Sequence, residues 1–326
     1  MKCTNKRIIS ILLVCSIVLS GCGSAKLDNE YNIKNVSSSG NAKEKDTDST
    51  NLLLSEKYCV ADDSNILLDD VNTDNIKAAG AFNITKGECL YAYNVQKKLY
   101  PASTTKILTA YLAITKGNLK DVVTVSSEAC TLPYGASTAS LQAGDEVTVE
   151  DLLYGLMLVS GNDAANALAE YVSGSVADFA TLMNETCMDI ASTKSEFVNP
   201  NGLHDDEHYT SCYDLYLIFQ TALENKTFRK IIHTLSYDAS IKRASGEVVS
   251  INYGNTNKFL NGSASYPKGY KIIGGKTGTT NDAGNCLVLL VKNKEGDEII
   301  LIGLGADSRD NLYLFLDNLM NSLKMK

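Results

Sequence analysis

The chain has 326 residues and a net charge of −8 at pH 7, with a pI near 5.0. That leaves room for a large core but argues against a nucleic-acid partner, because such a binder needs a basic face and the Lys and Arg residues are scattered. Nine cysteines are present without a CxxC pair, so no tight disulfide framework is expected.

The first 22 residues (MKCTNKRIISILLVCSIVLSGC) have the layout of a secretory signal: basic Lys2, Lys6 and Arg7, then an apolar run from Ile8 to Leu19. That run is short of the roughly 20 residues a spanning helix needs. Its end, Leu19-Ser20-Gly21-Cys22, resembles a bacterial lipobox, which implies cleavage before Cys22 and a lipid on that cysteine. Ordinary signal cleavage without a lipid is the alternative. Residues 1–21 are thus expected to be signal peptide and 22–57 a lipidated tether. The tether is rich in Ser, Asn, Lys, Asp and Gly, a composition too polar to offset its ordering entropy. About 35 flexible residues reach roughly 30–35 Å, enough to place a domain just above a bilayer. Residues 58–326 form the expected folded domain. Its six cysteines, Cys59, Cys89, Cys130, Cys187, Cys212 and Cys286, are expected as free thiols, several of them beside apolar residues.

Within that domain, Ala78 to Ile84 and Cys89 to Tyr93 read as a hairpin around the polar turn Thr85-Lys86-Gly87-Glu88. Pro101-Ala102 precede Ser103, and Ile107 to Ile114 continue as an almost wholly apolar helix, the pattern of a buried one. Thr148 to Asp151 (TVED) is a capping-box pattern before the apolar run Leu152 to Leu158, and a second helix follows from Asp163. Asn199 to Gly202 (NPNG) is a turn, and Ser211 to Asp214 (SCYD) caps an apolar helix ending near Leu223. Ile272 and Ile273 lead into Gly274-Gly275-Lys276-Thr277-Gly278, where Lys276 is expected to open a strand. Cys286 to Lys292 and Ile299 to Leu304 read as paired strands, and Leu312 to Leu323 as a closing amphipathic helix. Strands at both ends with helices between them predict an α+β fold, an antiparallel sheet from N- and C-terminal segments with an inserted helical lobe.

Three short motifs carry chemistry: Ser103-Thr104-Thr105-Lys106, Ser160-Gly161-Asn162 and Lys276-Thr277-Gly278. Residues three apart on a helix share a face, so the Lys106 amine can lie over the Ser103 hydroxyl. Serine is a poor nucleophile until a neighbouring base takes its proton. Lysine serves as that base only when its pKa falls, and burial or a second cation such as Lys276 pushes it down. Singly the first two motifs are weak. Ser265-Tyr266-Pro267-Lys268 repeats the first in a loop-like setting, and Ser39-Gly40-Asn41 and Ser250-Ile251-Asn252 repeat the second. Their force is in combination: Ser103 opens a buried helix, Ser160 lies between two helices and Lys276 lies on a strand.

These motifs resemble those of the penicillin-recognising serine enzymes. The similarity is greatest to the low-molecular-mass penicillin-binding proteins, the serine D-alanyl-D-alanine carboxypeptidases. It rests on PASTTK (Pro101 to Lys106), SGNDAANALAEYV (Ser160 to Val172), NPNGL (Asn199 to Leu203) and GGKTGTTNDAGNCLV (Gly274 to Val288), and covers Asn75 to Leu323. It implies a β-lactamase/transpeptidase-like fold and no cofactor or metal. Ser103 would form the acyl-enzyme, Lys106 would act as base, and Ser160 would carry the proton to the leaving D-alanine. Asn162 would hold the substrate amide and Lys106, while Lys276, Thr277 and Thr279 would face the terminal carboxylate. The N–H groups of Ser103 and Thr279 would form the oxyanion hole, and Gly278 would let the substrate lie along the strand edge. The implied partners are the peptidoglycan stem peptide and, as covalent inhibitors, β-lactam antibiotics. The implied location is the outer face of the plasma membrane, anchored through Cys22, because the C-terminal β domain and membrane helix common in the family are not expected here. Lys258 and Arg309 are candidates for further contacts to the carboxylate.

Three rival readings remain. His204-Asp205-Asp206-Glu207-His208 spells a zinc-peptidase motif, yet its setting after Asn-Pro-Asn-Gly reads as a solvated loop, and His233 is the only other histidine. A β-lactamase on the same fold would need a water-activating glutamate. Glu196 lies in the right interval but outside an ExxLN setting, and Gly161 stands where those enzymes carry Asp. A non-catalytic lipoprotein that binds cell-wall peptide is the third, and it has no need of an activated serine.

Overall fold

The computed structural model describes residues 58–324. The signal segment, Cys22 and the tether lie outside the described residues. No described helix is long and apolar enough to cross a membrane.

Five antiparallel strands form the main sheet: β1 (Ala78–Asn83), β2 (Glu88–Tyr93), β7 (Lys271–Thr280), β8 (Gly284–Lys292) and β9 (Glu298–Ala306), in the order β2-β1-β9-β8-β7. This is the expected union of N- and C-terminal segments. Side chains alternate across a strand, and in β8 and β9 both sets are apolar. Val288, Leu290, Ile300, Ile302 and Leu304 face one core cluster, whereas Leu287, Leu289, Val291, Ile299 and Leu301 face another. The second cluster is closed by the C-terminal helix (Arg309–Lys324) through Leu312, Leu316, Leu319 and Met320.

The first cluster is closed by the inserted lobe. Its helices are α1 (Lys106–Lys116), α2 (Val149–Leu158), α3 (Asn162–Ser173), α4 (Val176–Asp189), α5 (Cys212–Leu223) and α6 (Lys226–His233), which makes the C-terminal helix α7. The cap of α2 forms as expected, with Thr148 accepting from the Asp151 N–H. Ser211 does the same for α5 by accepting from the Asp214 N–H at 3.0 Å. A second, four-stranded sheet was not foreseen: β3 (Val122–Thr124), β4 (Glu146–Thr148), β5 (Ser236–Lys242) and β6 (Val248–Gly254). Two of its strands are only three residues long, too short to show a period. The helices α4 and α6 were also unread.

Two local expectations need correction. Lys276 does not open a strand; it sits mid-way along β7, paired with Val288. The nine-residue β8 supplies partners out to Lys292, so β7 begins at Lys271 and runs through both glycines, with a register irregularity between Ile272 and Gly274. The 204–208 segment is non-helical as expected, but it is not solvated throughout, because His208 is buried. The six cysteines among the described residues are free; Cys59, Cys187, Cys212 and Cys286 are buried, and Cys89 and Cys130 are half-buried.

Replacing the α5 cap, Ser211→Ala, is expected to lower the unfolding free energy by about 1 kcal/mol. Urea denaturation checks this, and an unchanged midpoint would show that the cap contributes nothing.

Candidate active site

The site is assembled where the start of α1 meets the exposed edge of β7. Residues Ala102–Thr105 form a 3-10 turn that runs directly into α1. The Pro101 carbonyl accepts from the Thr104 hydroxyl at 2.7 Å, and the Ala102 carbonyl accepts from the Thr105 hydroxyl at 2.8 Å. Ala102 itself holds φ = +48°, an uncommon conformation for a residue with a Cβ. Two glycines let other segments close on this turn. A Cβ on Gly278 would lie 2.9 Å from the Ser103 nitrogen, and one on Gly202, at φ = +80°, would lie 2.0 Å from the Ala102 carbonyl oxygen.

The Lys106 side chain is fully buried. Its Nζ lies 3.1 Å from Ser103 Oγ and 2.7 Å from Asn162 Oδ1, and it also donates to the Asn201 carbonyl. A neutral amine has two N–H groups and one lone pair. Asn162 Oδ1 and the Asn201 carbonyl can only accept, so they take the two N–H groups and leave the lone pair for the Ser103 hydroxyl. Burial, and then repulsion from Lys276, hold the Lys106 pKa well below its ordinary value, with Asp163 opposing them. The NPNG turn thus supplies a ligand that sequence reading missed, since a backbone carbonyl leaves no letter. Asn201 is fixed in turn by donating its amide to Asn166 Oδ1 at 2.9 Å.

Ser160 lies between α2 and α3 at φ = +63°, and its Oγ accepts from Lys276 Nζ at 3.1 Å. Lys276 also donates to the Thr277 carbonyl at 2.8 Å, and burial lowers its pKa to about 7. Strained backbone of this kind survives only where the surroundings over-determine it. Here Asp163 accepts from the N–H groups of Ala139 and Leu141, and the Asn162 N–H donates to the Ser137 carbonyl, which pins the loop beside Ser160.

Ser103, Ser160, Thr277, Gly278 and Thr279 line a single cleft of about 130 Å³, and Arg309 lies on its wall. Of the two further cations named from the sequence, only Arg309 reaches this cleft; Lys258 is turned to Asp310 at 2.9 Å. Thr277 Oγ1 is 2.9 Å from Thr256 Oγ1, and Thr279 Oγ1 donates to Asn285 Oδ1 at 3.2 Å. Glu196 is not among the lining residues. Its carboxylate accepts from the Asn184 amide at 2.8 Å, so it is not placed to activate water for a β-lactamase. Among the described residues no group of His, Cys, Asp and Glu side chains could hold a metal ion. His204 stacks edge-on against Tyr100, and His233 bonds the Ile273 carbonyl.

Comparison with known proteins points to one family. The Peptidase S11 family, described as D-alanyl-D-alanine carboxypeptidase, matches residues 69–308. The D-alanyl-D-alanine carboxypeptidase DacF of Bacillus subtilis is 33% identical over 237 residues, covering 71% of this chain and 58% of its own length. A D-alanyl-D-alanine carboxypeptidase of Streptomyces sp. strain K15 is 36% identical over 231 residues, covering 67% of this chain and 77% of its own. The crystal structure of the Streptomyces K15 DD-transpeptidase superposes with a TM-score of 0.72 at 30% identity, over 78% of this chain and 99% of that one.

The electrostatics predict a pH signature. If Lys106 is the base expected from the sequence, it acts only when neutral, and acylation would rise with pH through its lowered pKa. Lys276→Met removes one of the two effects that lower it, so the Lys106 pKa rises and the ascending limb of the acylation profile moves to higher pH. The second-order rate of labelling by a fluorescent penicillin, measured against pH, checks this. A limb that stays in place would mean that Lys276 does not act on Lys106.

Proposed function

The chain belongs to the D-alanyl-D-alanine carboxypeptidase family, and from that premise we propose that it removes the terminal D-alanine of peptidoglycan stem pentapeptides through an acyl-enzyme on Ser103. The observation that carries the reading is the contact at 3.1 Å between Ser103 Oγ and the buried Lys106 amine.

Ser103 Oγ attacks the carbonyl carbon between the two D-alanines while its proton passes to Lys106 Nζ. The N–H groups of Ser103 and Thr279 stabilise the oxyanion, and such preorganised donors are worth about 3–4 kcal/mol each in the transition state. The C–N bond then breaks, and Ser160 relays the proton from Lys106 to the departing amine. Water attacks the ester with Lys106 again taking the proton, and Ser103 leaves with its hydrogen restored. Lys276, Arg309 and the hydroxyls of Thr277 and Thr279 hold the terminal carboxylate, whose charge favours the protonated form of Lys276. Asn162 positions the substrate amide, and the Gly278 edge accepts the peptide as an added strand. A β-lactam presents its strained amide to the same serine. An amine in place of water would give transpeptidation from the same acyl-enzyme, the activity named for the Streptomyces K15 structure.

The same reading gives the N-terminal residues their part. Lipid on Cys22 anchors the enzyme to the outer face of the membrane, and the tether lets it work in the polymer above. The net charge of −8 fits this setting and no nucleic-acid role.

Incubation with a pentapeptide ending in D-Ala-D-Ala is expected to release D-alanine, and Ser103→Ala is expected to lower that release by several orders of magnitude. Equal release by the Ser103→Ala enzyme would overturn the proposal. Fluorescent penicillin is expected to leave a long-lived adduct on the peptide containing Ser103. Rapid drug hydrolysis would instead support a β-lactamase, and no adduct a peptide-binding lipoprotein.

A further inference from the structure

His208 is buried beside the nucleophile's turn, yet the proposed reaction gives it no part. Both of its ring nitrogens are engaged. Nδ1 lies 3.2 Å from the backbone N–H of Val198, which can only donate, so Nδ1 carries the lone pair. The ring proton is therefore on Nε2, which lies 2.8 Å from Thr105 Oγ1 and donates to it. With that lone pair filled, the Thr105 hydroxyl donates onward to the Ala102 carbonyl at 2.8 Å.

The order of donors is thus fixed from end to end: Val198 N–H to His208, His208 to Thr105, Thr105 to Ala102. The chain ends on the residue that precedes Ser103, the one held at φ = +48°. It passes through Thr105, the residue that precedes Lys106. We propose that His208, as its neutral Nε2–H tautomer, is a positioning residue that locks, through Thr105, the turn holding Ser103 against Lys106. It touches no reacting atom.

The surroundings support the neutral ring. Burial lowers the His208 pKa to about 4, with Lys106 and His204 acting in the same direction and Asp205 opposing them. A second ring proton would also set Nδ1–H against Val198 N–H, two donors with nothing between them. The acidic letters around His208 in the sequence suggested a zinc-like or solvated histidine. The fold turns it inward, where Phe197 packs edge-on against its ring at 5.3 Å.

The kinetic test rests on Ser103 being the acylated residue, and the spectroscopic test does not. In 15N-histidine-labelled enzyme, the resonances lost in His208→Gln identify His208. They are expected to show an unprotonated Nδ1 and a protonated Nε2 at all pH values above the pKa of about 4. A protonated Nδ1 or a cationic ring at neutral pH would overturn the proposal, whether or not penicillin reacts.

In the kinetic arm, His208→Leu is expected to slow the acylation step by about ten- to a hundredfold, the scale of a small misplacement of a reacting group. The reversible binding constant for penicillin should change little. His208→Gln, whose amide can donate to Thr105, should recover most of the loss, and Thr105→Ser should outperform Thr105→Val in the same way. A folded His208→Leu enzyme acylating at the wild-type rate would contradict the proposal. So would a Gln variant no faster than the Leu variant. If His208→Leu does not fold, the Thr105 pair and the tautomer measurement decide. Failure of the wild-type enzyme to be acylated would count against the Ser103 reading and leave the tautomer measurement to judge His208.

Discussion

The site depends on an amine kept away from water. Lys106 is wholly buried, and a buried charge without compensation is so costly that the group sheds its proton instead. A neutral amine still needs its two N–H groups satisfied. Asn162 Oδ1 and the Asn201 carbonyl provide acceptors from two different segments of the helical lobe. With those filled, the remaining lone pair has Ser103 Oγ as its neighbour. The lobe of α1, α2 and α3 supplies the apolar wall, the NPNG turn closes it, and the edge of β7 brings the second lysine.

That arrangement accounts for the backbone strain around it. Ala102 and Ser160 both hold positive φ without being glycine, and side-chain hydrogen bonds tie down Ala102 itself and the loop beside Ser160. Thr105 and His208 fix the first. Asp163 fixes the loop beside the second. Gly202 fits against the Ala102 carbonyl where any Cβ would collide. Ser103, Lys106 and Ser160 are thereby held in place before any substrate arrives, which is where the proposed reaction would gain most.

Much of this was legible in the sequence because periodicity reports burial. The apolar run after Lys106 identified a buried helix, and the paired apolar runs 286–292 and 299–304 identified the central strands. The three motifs therefore fell on elements whose positions could be inferred. What stayed hidden had no letter or no period. The Asn201 carbonyl is backbone, the strands Val122–Thr124 and Glu146–Thr148 are too short to alternate visibly, and the burial of His208 is decided by tertiary contacts against its polar neighbours. Lys276 was placed on the right element but at the wrong point along it, because two glycines read as a break. The pairing of β7 with β8 carries the strand straight through them.

The most direct test of the account is the titration of Lys106 itself. In enzyme carrying 13C-labelled lysine, the Lys106 resonance can be assigned by its loss in Lys106→Arg and followed with pH by NMR. The account predicts a midpoint well below the ordinary lysine value of 10.5, with the resonance that of a neutral amine in the pH range where acylation is fastest. A midpoint at or above 10.5 would mean that the amine is charged at working pH, and Lys106 could not then be the base that activates Ser103.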